Sequence, residues 1–317
     1  MGAIKNKPDK VLRAVAKSDY FVENLKITSG KTLDQYEIAF NFFDRFLGRP
    51  AKLSDLTEQT ITRFLRYLHF DLKLAAKTAN ERAGRIIALW NWLARRRQVD
   101  MFPTVGRLKE AHRTPRAWTI DELQRLFAVT DRCRGDICGV PASLWCKAMF
   151  AVIWNTGERI GAVLDVEWQC LDRGTILFPA RIRKFGKNDE TFTLWPETMG
   201  LLDSMRTDFL GRPLKNRRIF ETKFTISNLY YRFKQILSWA NLPSDRYCKF
   251  HKIRVSHATW TQAFGGNATA ALRHASPVTT QKHYIDPTIC KIPESILPRV
   301  WGSSVGNNVV VKKSSLY

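Results

Sequence analysis

Residues 175–196 carry the pattern of a β-hairpin in a chain whose other apolar residues recur mainly at helical spacing. The segments TILFPARIR and ETFTLW are strand-like, and FGKN with Asp189 between them supplies residues that favour a turn. Lys184 stands where the first of these strands meets the turn. The sequence therefore predicts a mainly α fold with a small antiparallel β-hairpin or sheet.

The length of 317 residues and a hydrophobic content of 44% predict two globular domains. Residues 17–100 are expected to form an N-terminal helical domain, and residues 118–300 a second, mostly helical domain. Between them, residues 101–117 contain Pro and Gly and have the composition of a basic linker. Residues 1–16 are expected to form a flexible basic arm, and residues 301–317 a C-terminal tail.

Short local signals predict where several helices begin and end. Thr32, Thr78 and Thr119 each stand three residues before a Gln or Glu, which is the pattern of a capping box at a helix N-terminus. Gly48 and Gly157 are expected to end helices. These signals predict helices in both domains and place the start of the second domain near Thr119.

The charge balance indicates a polyanionic partner. Lys and Arg together number 51 against 29 for Asp and Glu, which gives a formal net charge of +22. Nucleic acid is the expected partner, and a membrane is disfavoured because no apolar run approaches the roughly 20 residues needed to span one. The first residues lack the pattern of a signal peptide, so we expect a cytoplasmic, nucleoid-associated protein.

No metal or cofactor is expected from the pattern of potential ligands. Cys133 and Cys138 are the one near pair among six cysteines, and their spacing matches no zinc pattern. Asp and Glu are not grouped as a two-metal nuclease requires, and no Walker-type phosphate loop occurs. We therefore expect free thiols in a reducing compartment.

A candidate DNA-binding surface lies on the third helix of the first domain. This helix has an apolar face that includes Ile86 and Trp90, and its other side is rich in arginine. A face with charges of one sign can lie along a DNA backbone, although an ordinary solvated face is the alternative. Together with two arginines of the linker, the expected DNA-binding residues are Arg82, Arg85, Arg95, Arg96, Arg113 and Arg116.

Residues 251–284 concentrate side chains that suit phosphate chemistry. His251 and Arg254 are three residues apart, so in a helix they share one face and can grip a phosphate together. His274 and Tyr284 follow, with Pro277 between them as the expected first-turn residue of a short helix. Upstream, Arg159 is expected to open a helix just after Gly157.

In this order, these segments resemble the tyrosine recombinase, or phage-integrase, family. TGERIGAVLDVEWQCLD is similar to the first-arginine box of the family, and RKFGKN to its lysine turn. HKIRVSHAT is similar to the second-arginine box, and LRHASPVTTQKHYIDP to the box that contains a His and then the Tyr. The resemblance covers roughly residues 17–300 and is carried by the joint pattern.

The sequence departs from the family pattern at three places. Ala162 stands where the first-arginine box often has an acidic residue, so Asp165 is a candidate to replace it. The spacing between His274 and Tyr284 is one residue longer than the commonest form, which brings the neighbouring His283 into consideration, although only tyrosine has a suitable hydroxyl. Lys187 is the alternative to Lys184 as the lysine of the turn.

These residue types fit the cleavage of a DNA phosphodiester without a metal. Arg159 and Arg254 can neutralise the charge that builds on the non-bridging oxygens, and His274 can donate a further hydrogen bond. Tyr284 fits the nucleophile, with His251 as the candidate base. Lys184 is the candidate acid that protonates the leaving 5′ oxygen.

The family resemblance implies more about the reaction and the assembly. It implies attack that yields a 3′-phosphotyrosine and a free 5′-hydroxyl, with no need for ATP because the covalent link conserves the bond energy. It also implies that the helical domain clasps the DNA opposite the catalytic domain. A homotetramer on paired double-stranded attachment sites is the expected assembly.

Two other functions are compatible with these residues. A type IB topoisomerase uses a similar constellation, but an N-terminal helical domain of about 100 residues favours a recombinase. A DNA-binding protein that keeps the fold without cutting is the second alternative, to which Ala162 gives some support. The presence of all six candidate residue types in order argues against it.

Overall fold

The computed structural model of the protein describes residues 9–25, 27–184, 186–208 and 210–290. The chain divides into two compact units, Met1–Arg113 and Thr114–Tyr317. The first eight residues of the expected arm and the whole expected C-terminal tail lie outside the described residues.

The first unit consists of helices, with three main ones. Its elements in chain order are α1 (Leu12–Val15), a π-helical turn (Ala16–Tyr20), α2 (Phe21–Glu23), α3 (Gly30–Leu47), a 3-10 turn (Leu53–Asp55), α4 (Glu58–Arg66), a π-helical turn (Tyr67–Asp71) and α5 (Ala76–Arg95). The core between α3, α4 and α5 is built from buried side chains at helical spacing, among them Phe40, Phe43, Phe64 and Trp90.

The end of the expected arm is part of this core, which corrects the prediction for residues 11–16. Leu12 and Ala16 are fully buried, and the backbone N–H of Leu12 donates to the carbonyl of Ala51 at 2.7 Å. The apolar residues at positions 12, 15 and 16 face one side of a helical turn, and their burial stabilises the segment against the unit. The basic composition of this stretch concealed that short apolar pattern.

Two of the expected helix starts in the first unit are also wrong. The N-cap of α3 is Ser29, whose side chain accepts from the N–H of Thr32, so the N-cap lies three residues before the predicted Thr32. Helix α5 begins at Ala76 after an N-cap without a side-chain hydrogen bond, so Thr78 lies inside the helix. Gly48 ends α3 with a φ of 70°, as predicted.

The second unit is mostly helical with two small antiparallel sheets. Its elements are α6 (Ile120–Ala128), a 3-10 turn (Val129–Arg132), β1 (Asp136–Ile137), β2 (Val140–Pro141), α7 (Ala142–Thr156), α8 (Ile160–Asp165), a 3-10 turn (Trp168–Cys170), β3 (Leu171–Asp172), β4 (Thr175–Phe178), a 3-10 turn (Ala180–Ile182), β5 (Glu190–Thr193), α9 (Pro196–Ser204), α10 (Ile226–Trp239), α11 (Phe250–Ala263), α12 (Ala268–Ala271) and α13 (Pro277–Tyr284). The mainly α class with a small antiparallel sheet is thus confirmed.

Helix α7 forms the centre of the second unit. It is apolar on all sides, with Trp145, Phe150 and Ile153 buried, and it packs against α9 and α11. Gly157 ends this helix with a φ of 66°, as predicted. The capping box at Thr119 is also confirmed, since its side chain accepts from the N–H of Glu122 and the Glu122 carboxylate accepts from the N–H of Thr119.

The predicted hairpin is present, and β3 extends it to three antiparallel strands in the order β3-β4-β5. Its first strand is shorter than expected, because it ends at Phe178, which pairs with Glu190. Pro179 has no N–H to continue the ladder, and a 3-10 turn follows it. Lys184 therefore does not end a strand but lies in the connection between β4 and β5, which corrects the expected placement.

None of the helices in the described part of the chain is long and apolar enough to cross a membrane. The six cysteines are free thiols. Within the same residues, no group of three or more His, Cys, Asp or Glu side chains converges as a metal site.

Candidate active site

The predicted residues meet where α13 packs against α11. Tyr284 is the last residue of α13, and its side chain points into this contact with 7% of the residue exposed. The centroid of its ring lies 5.2 Å from that of His251 and 4.6 Å from that of His274. The guanidinium carbon of Arg254 lies 5.4 Å from the same ring centroid.

Arg254 is the buried centre of the site. It is 1% exposed, and its guanidinium donates to the backbone carbonyl of Gly157 and, at 3.3 Å, to that of Leu272. It also lies 2.9 Å from Nε2 of His274. Among the described residues, Nε of Arg254 is buried without a hydrogen-bond partner. A guanidinium with an unpaired, buried N–H is equipped to bind an anion.

The partners of His274 define its hydrogen bonding. Arginine can only donate, so Nε2 of His274 accepts from Arg254. Its Nδ1 then carries the proton and donates to Oγ1 of Thr280, at 3.0 Å. Both ring nitrogens of His274 are thus hydrogen-bonded, and the neutral ring orients Arg254.

Arg159 contributes a second guanidinium. It is the N-cap residue of α8, and its side chain is half-buried. Within the described residues, its guanidinium forms no hydrogen bond or ion pair. Burial and the charge of Arg159 lower the pKa of Arg254, and Tyr284 and Glu158 offset part of this effect. The positive charges of these two neighbouring guanidinium groups are therefore only partly balanced by nearby negative charge.

The two imidazoles are held in their neutral form. Desolvation by neighbouring groups and the charges of Arg254 and Arg159 lower the pKa of His251 to about 4, even though the residue as a whole is exposed. Burial, the same two arginines and His251 lower the pKa of His274 to about 4. At neutral pH both rings are therefore uncharged, and His251 is able to accept a proton.

The lysine candidates occupy a different position. Lys184 and Lys187 are both exposed, on the connection between β4 and β5. The structure thus brings together Arg159, His251, Arg254, His274 and Tyr284, and presents the two lysines at the surface. His283, the alternative neighbour of Tyr284, is exposed.

Glu158 is an important residue of the site that the sequence interpretation missed. It is 1% exposed, and its Oε1 accepts from Nε of Arg183 at 2.7 Å. Its Oε2 accepts from the backbone N–H of Arg159 at 3.0 Å. The expected substitute, Asp165, instead forms a partly exposed ion pair with Arg218, at 3.2 Å. An acid directly before the first arginine was the available signal.

The chain after Tyr284 is fixed by buried hydrogen bonds that were also missed. Oγ1 of Thr259 donates to the carbonyl of Tyr284 at 2.8 Å, and it accepts from the N–H of Asp286 at 3.0 Å. The carboxylate of Asp286 accepts from the N–H of Ala117 at 2.9 Å. These bonds connect the end of α13 to α11 and to the first residues of the second unit.

The predicted DNA-binding arginines of the first unit do not form a simple solvated face. Arg82 lies over the ring of Phe42 and Arg85 over that of Tyr36, at 5.7 Å and 5.4 Å from the ring centroids. Arg96 lies over Trp92, at 4.0 Å, and pairs with Glu23. Arg95 is exposed.

The two predicted arginines from the linker differ from each other. Arg113 is exposed in the first unit. Arg116 belongs to the second unit, where it lies 3.5 Å from the buried carboxylate of Asp286 and donates to Oγ1 of Thr288 at 3.0 Å. Arg116 thus has a role in the packing of the second unit beyond that of a linker charge.

A sequence model described as the phage integrase SAM-like domain matches residues 15–100. No curated protein sequence matches the chain.

Three solved structures share its fold at low sequence identity. XerH site-specific recombinase bound to palindromic difH substrate has 18% identity and a TM-score of 0.62, over 79% of this chain and 75% of that one. A lambda integrase tetramer bound to a Holliday junction has 14% identity and a TM-score of 0.64, over 87% and 78%. The Tn1549 transposon integrase in complex with a circular intermediate DNA has 11% identity and a TM-score of 0.64, over 87% and 95%.

These findings confirm the resemblance noted in the sequence. The chain has the two-domain fold of the tyrosine recombinases. Its N-terminal residues 15–100 match the sequence model of the phage integrase SAM-like domain.

Proposed function

We propose that this protein is a site-specific DNA recombinase that cleaves and rejoins strands through a 3′-phosphotyrosine intermediate. The observation that carries the proposal is the position of Tyr284, whose ring contacts two imidazoles and lies beside the buried guanidinium of Arg254. A tyrosine placed only for packing needs none of these groups around its ring.

The charge of the site suits a phosphodiester. Arg254 is oriented by two backbone carbonyls and by His274. Arg159 adds a second guanidinium, which forms no hydrogen bond or ion pair with the residues that the structure describes. Two guanidinium groups can neutralise the non-bridging oxygens of a pentacoordinate transition state, and the contacts of Arg254 hold its guanidinium in place before the substrate arrives. This arrangement stabilises the transition state without a metal ion.

The proton transfers have candidate groups on both sides. Oη of Tyr284 forms a bond to phosphorus while its proton passes to neutral His251, and the bond from phosphorus to the 5′ oxygen breaks. Lys184 donates a proton to that leaving oxygen, with Lys187 as the alternative. Rejoining follows the same steps in reverse with a 5′-hydroxyl of the partner strand.

The expected partners are DNA attachment sites and further copies of the chain. The net charge of +22 favours a polyanion, and the similar XerH, lambda and Tn1549 proteins were solved with DNA. Because the lambda integrase is a tetramer on its junction, we propose a homotetramer on paired sites here. The proposed DNA-binding residues remain Arg82, Arg85, Arg95, Arg96, Arg113 and Arg116, of which Arg95, Arg96, Arg113 and Arg116 are exposed.

Covalent trapping tests this proposal. The protein is incubated in EDTA with a double-stranded attachment-site substrate nicked next to the cleavage point, and adducts are separated on a denaturing gel. We expect an adduct with wild type and with the matched control His283→Phe, and none with Tyr284→Phe. Wild-type protein that binds the DNA tightly but forms no adduct would favour the non-cutting alternative. An adduct with Tyr284→Phe would exclude Tyr284 as the nucleophile.

A further inference from the structure

A buried ion pair connects the loop after α7 with the connection that carries the lysines. Oε1 of Glu158 lies 2.7 Å from both Nε and Nη2 of Arg183. The two side chains are 1% and 7% exposed, so the pair is shielded from solvent. An ion pair at this depth is a strong constraint, because separating it leaves an uncompensated buried charge.

The carboxylate of Glu158 also contacts the arginine side of the site. Its Oε2 accepts from the backbone N–H of Arg159 at 3.0 Å and lies 3.9 Å from Nη1 of Arg254. The N–H of Glu158 itself donates to Oγ1 of Thr156, at 3.1 Å. One carboxylate therefore fixes the backbone of one proposed catalytic arginine and lies beside the other.

Arg183 in turn fixes the start of the lysine-bearing turn. Its carbonyl accepts from the N–H of Gly186 at 3.0 Å, which closes a tight turn around Lys184. The backbone passes close to Ala180 at this turn, since a Cβ on Gly186 would lie 2.7 Å from the carbonyl oxygen of Ala180. Lys184 is thus one residue from a buried side chain, whereas Lys187 lies beyond the closed turn.

A second acid, Glu190, connects Arg183 with the residue before His274. Nη1 of Arg183 lies 3.7 Å from Glu190, whose other oxygen pairs with Arg273 at 3.0 Å. Arg273 directly precedes His274. Charges of alternating sign thus run from Glu158 to Arg183, Glu190 and Arg273.

We propose that Glu158 and Arg183 are positioning residues that set the place of Lys184 relative to Arg159 and Arg254, and that Lys184 is the lysine of the reaction. This inference rests on the proposed strand-cleavage function. Neither residue needs to touch DNA. Glu158 acts by holding Arg183, and Arg183 by fixing the turn in which Lys184 lies.

The test uses the chemistry of the leaving group. In cleavage of normal DNA the 5′ oxygen must gain a proton as it leaves. When sulfur replaces this bridging oxygen, the leaving group is a thiolate, which needs no proton. A defect in placing the acid therefore slows only the oxygen substrate. A defect in neutralising the phosphate slows both substrates.

The adduct-forming rates of the full chain are measured on both substrates for wild type, Glu158→Gln, Arg183→Gln, Lys184→Ala and Lys187→Ala. We expect Glu158→Gln, Arg183→Gln and Lys184→Ala to slow cleavage of the oxygen substrate by roughly 10- to 100-fold, which is part of the acceleration that a general acid supplies. On the sulfur substrate, the same variants are expected to cleave at the wild-type rate. Arg183→Lys is expected to recover part of the loss. Lys187→Ala and the matched acid control Asp165→Asn are expected to behave like wild type.

The ratio of the two rates is taken within one protein preparation, so a partly unfolded variant does not distort it. The inference would be overturned if Glu158→Gln lost the same rate on both substrates. It would also be overturned if the sulfur substrate rescued Lys187→Ala instead of Lys184→Ala. Both outcomes would leave the proposed function intact. A wild-type protein that forms no adduct with either substrate would overturn both.

Discussion

The hydroxyl of Thr259 donates a hydrogen bond to the backbone carbonyl of Tyr284 at 2.8 Å. Thr259 lies on α11, the helix that also carries His251 and Arg254. The proposed nucleophile is therefore held by the same helix as its proposed base and its buried arginine, within one chain. Tyr284 is only 7% exposed, so most of its side chain is covered by the packing of α13.

Replacement of Thr259 by Val tests this contact. Valine fills the same space but leaves the carbonyl of Tyr284 and the N–H of Asp286 without their buried partner. We expect a loss of about 2 kcal/mol in the free energy of unfolding, measured with denaturant, and slower adduct formation. The control Thr261→Val on the same helix removes only a bond to the carbonyl of His257, and is expected to change little. Equal effects of the two variants would argue against a specific role of Thr259.

The local features of this fold were predictable, and the long-range ones were not. Gly157 as a helix end, Thr119 as a cap and Pro277 as a first-turn residue each depend on neighbours within four positions. The contacts of Glu158 with Arg183 and of Asp286 with Ala117 join residues 25 and 169 positions apart. No periodicity in the sequence encodes such pairs.

Competing local signals explain the errors. Thr78 has the residues of a capping box, but the preceding alanine and lysine are good helix formers, and α5 starts earlier. Asp165 was the nearest acid on the expected helix, but it lies at the C-terminal end of α8, where it pairs with Arg218. Whether an acid enters a buried site depends on which side chains surround it, and that is a property of the folded chain.

Arg254 and Arg159 are expected to respond differently to replacement by Lys. The guanidinium of Arg254 donates to two carbonyls and to His274, and a lysine ammonium cannot reproduce that fork. Arg254→Lys should therefore both destabilise the second unit and abolish detectable adduct formation. Arg159→Lys should reduce adduct formation by at least about 100-fold while the thermal unfolding midpoint stays unchanged. An unfolding midpoint lowered equally by both would contradict the assigned difference.

The stability of the protein should depend on pH through His274. Its pKa in the folded state is about 4, below the ordinary value of 6.5, so as the pH falls the unfolded chain binds the proton first. The contribution of His274 to stability is therefore fully present above about pH 6.5 and is lost progressively between about pH 6.5 and about pH 4.

Unfolding free energies of wild type and His274→Gln between pH 4.5 and pH 7 check this expectation. The variant lacks the titrating ring, so its free energy of unfolding should change less between pH 4.5 and pH 7. The difference in slope should correspond to about one proton bound on unfolding. Parallel curves for the two proteins would show that His274 keeps an ordinary pKa. A steeper curve for the variant would contradict the sign of the shift.

Arg95 is expected to contribute to DNA binding without a role in folding. It lies on the exposed side at the end of α5, whereas Arg85 packs over the ring of Tyr36. Arg95→Gln should weaken binding to any DNA sequence and reduce the slope of log affinity against log salt by about one, with no change in stability. Arg85→Gln, in contrast, should also lower the unfolding midpoint. An unchanged salt slope in Arg95→Gln would remove this residue from the proposed DNA surface.

Gly157 is the backbone position on which the arginine geometry most depends. Its φ of 66° favours glycine, and a Cβ would lie 2.6 Å from Cδ2 of His257 and 2.9 Å from Cδ2 of Leu272. The carbonyls of Gly157 and Leu272 both accept from Arg254, so a shift here moves the guanidinium.

Gly157→Ala should therefore lower the free energy of unfolding by more than the roughly 1 kcal/mol of backbone strain alone, and should slow adduct formation. The control is Gly174→Ala, which has a φ of +85° but no atom within 4 Å of the added Cβ. It bears the same kind of backbone strain without the steric contact, and its cleavage rate should stay at the wild-type level. If denaturant unfolding and adduct rates are the same for both variants, the close approach of His257 and Leu272 does not constrain Arg254.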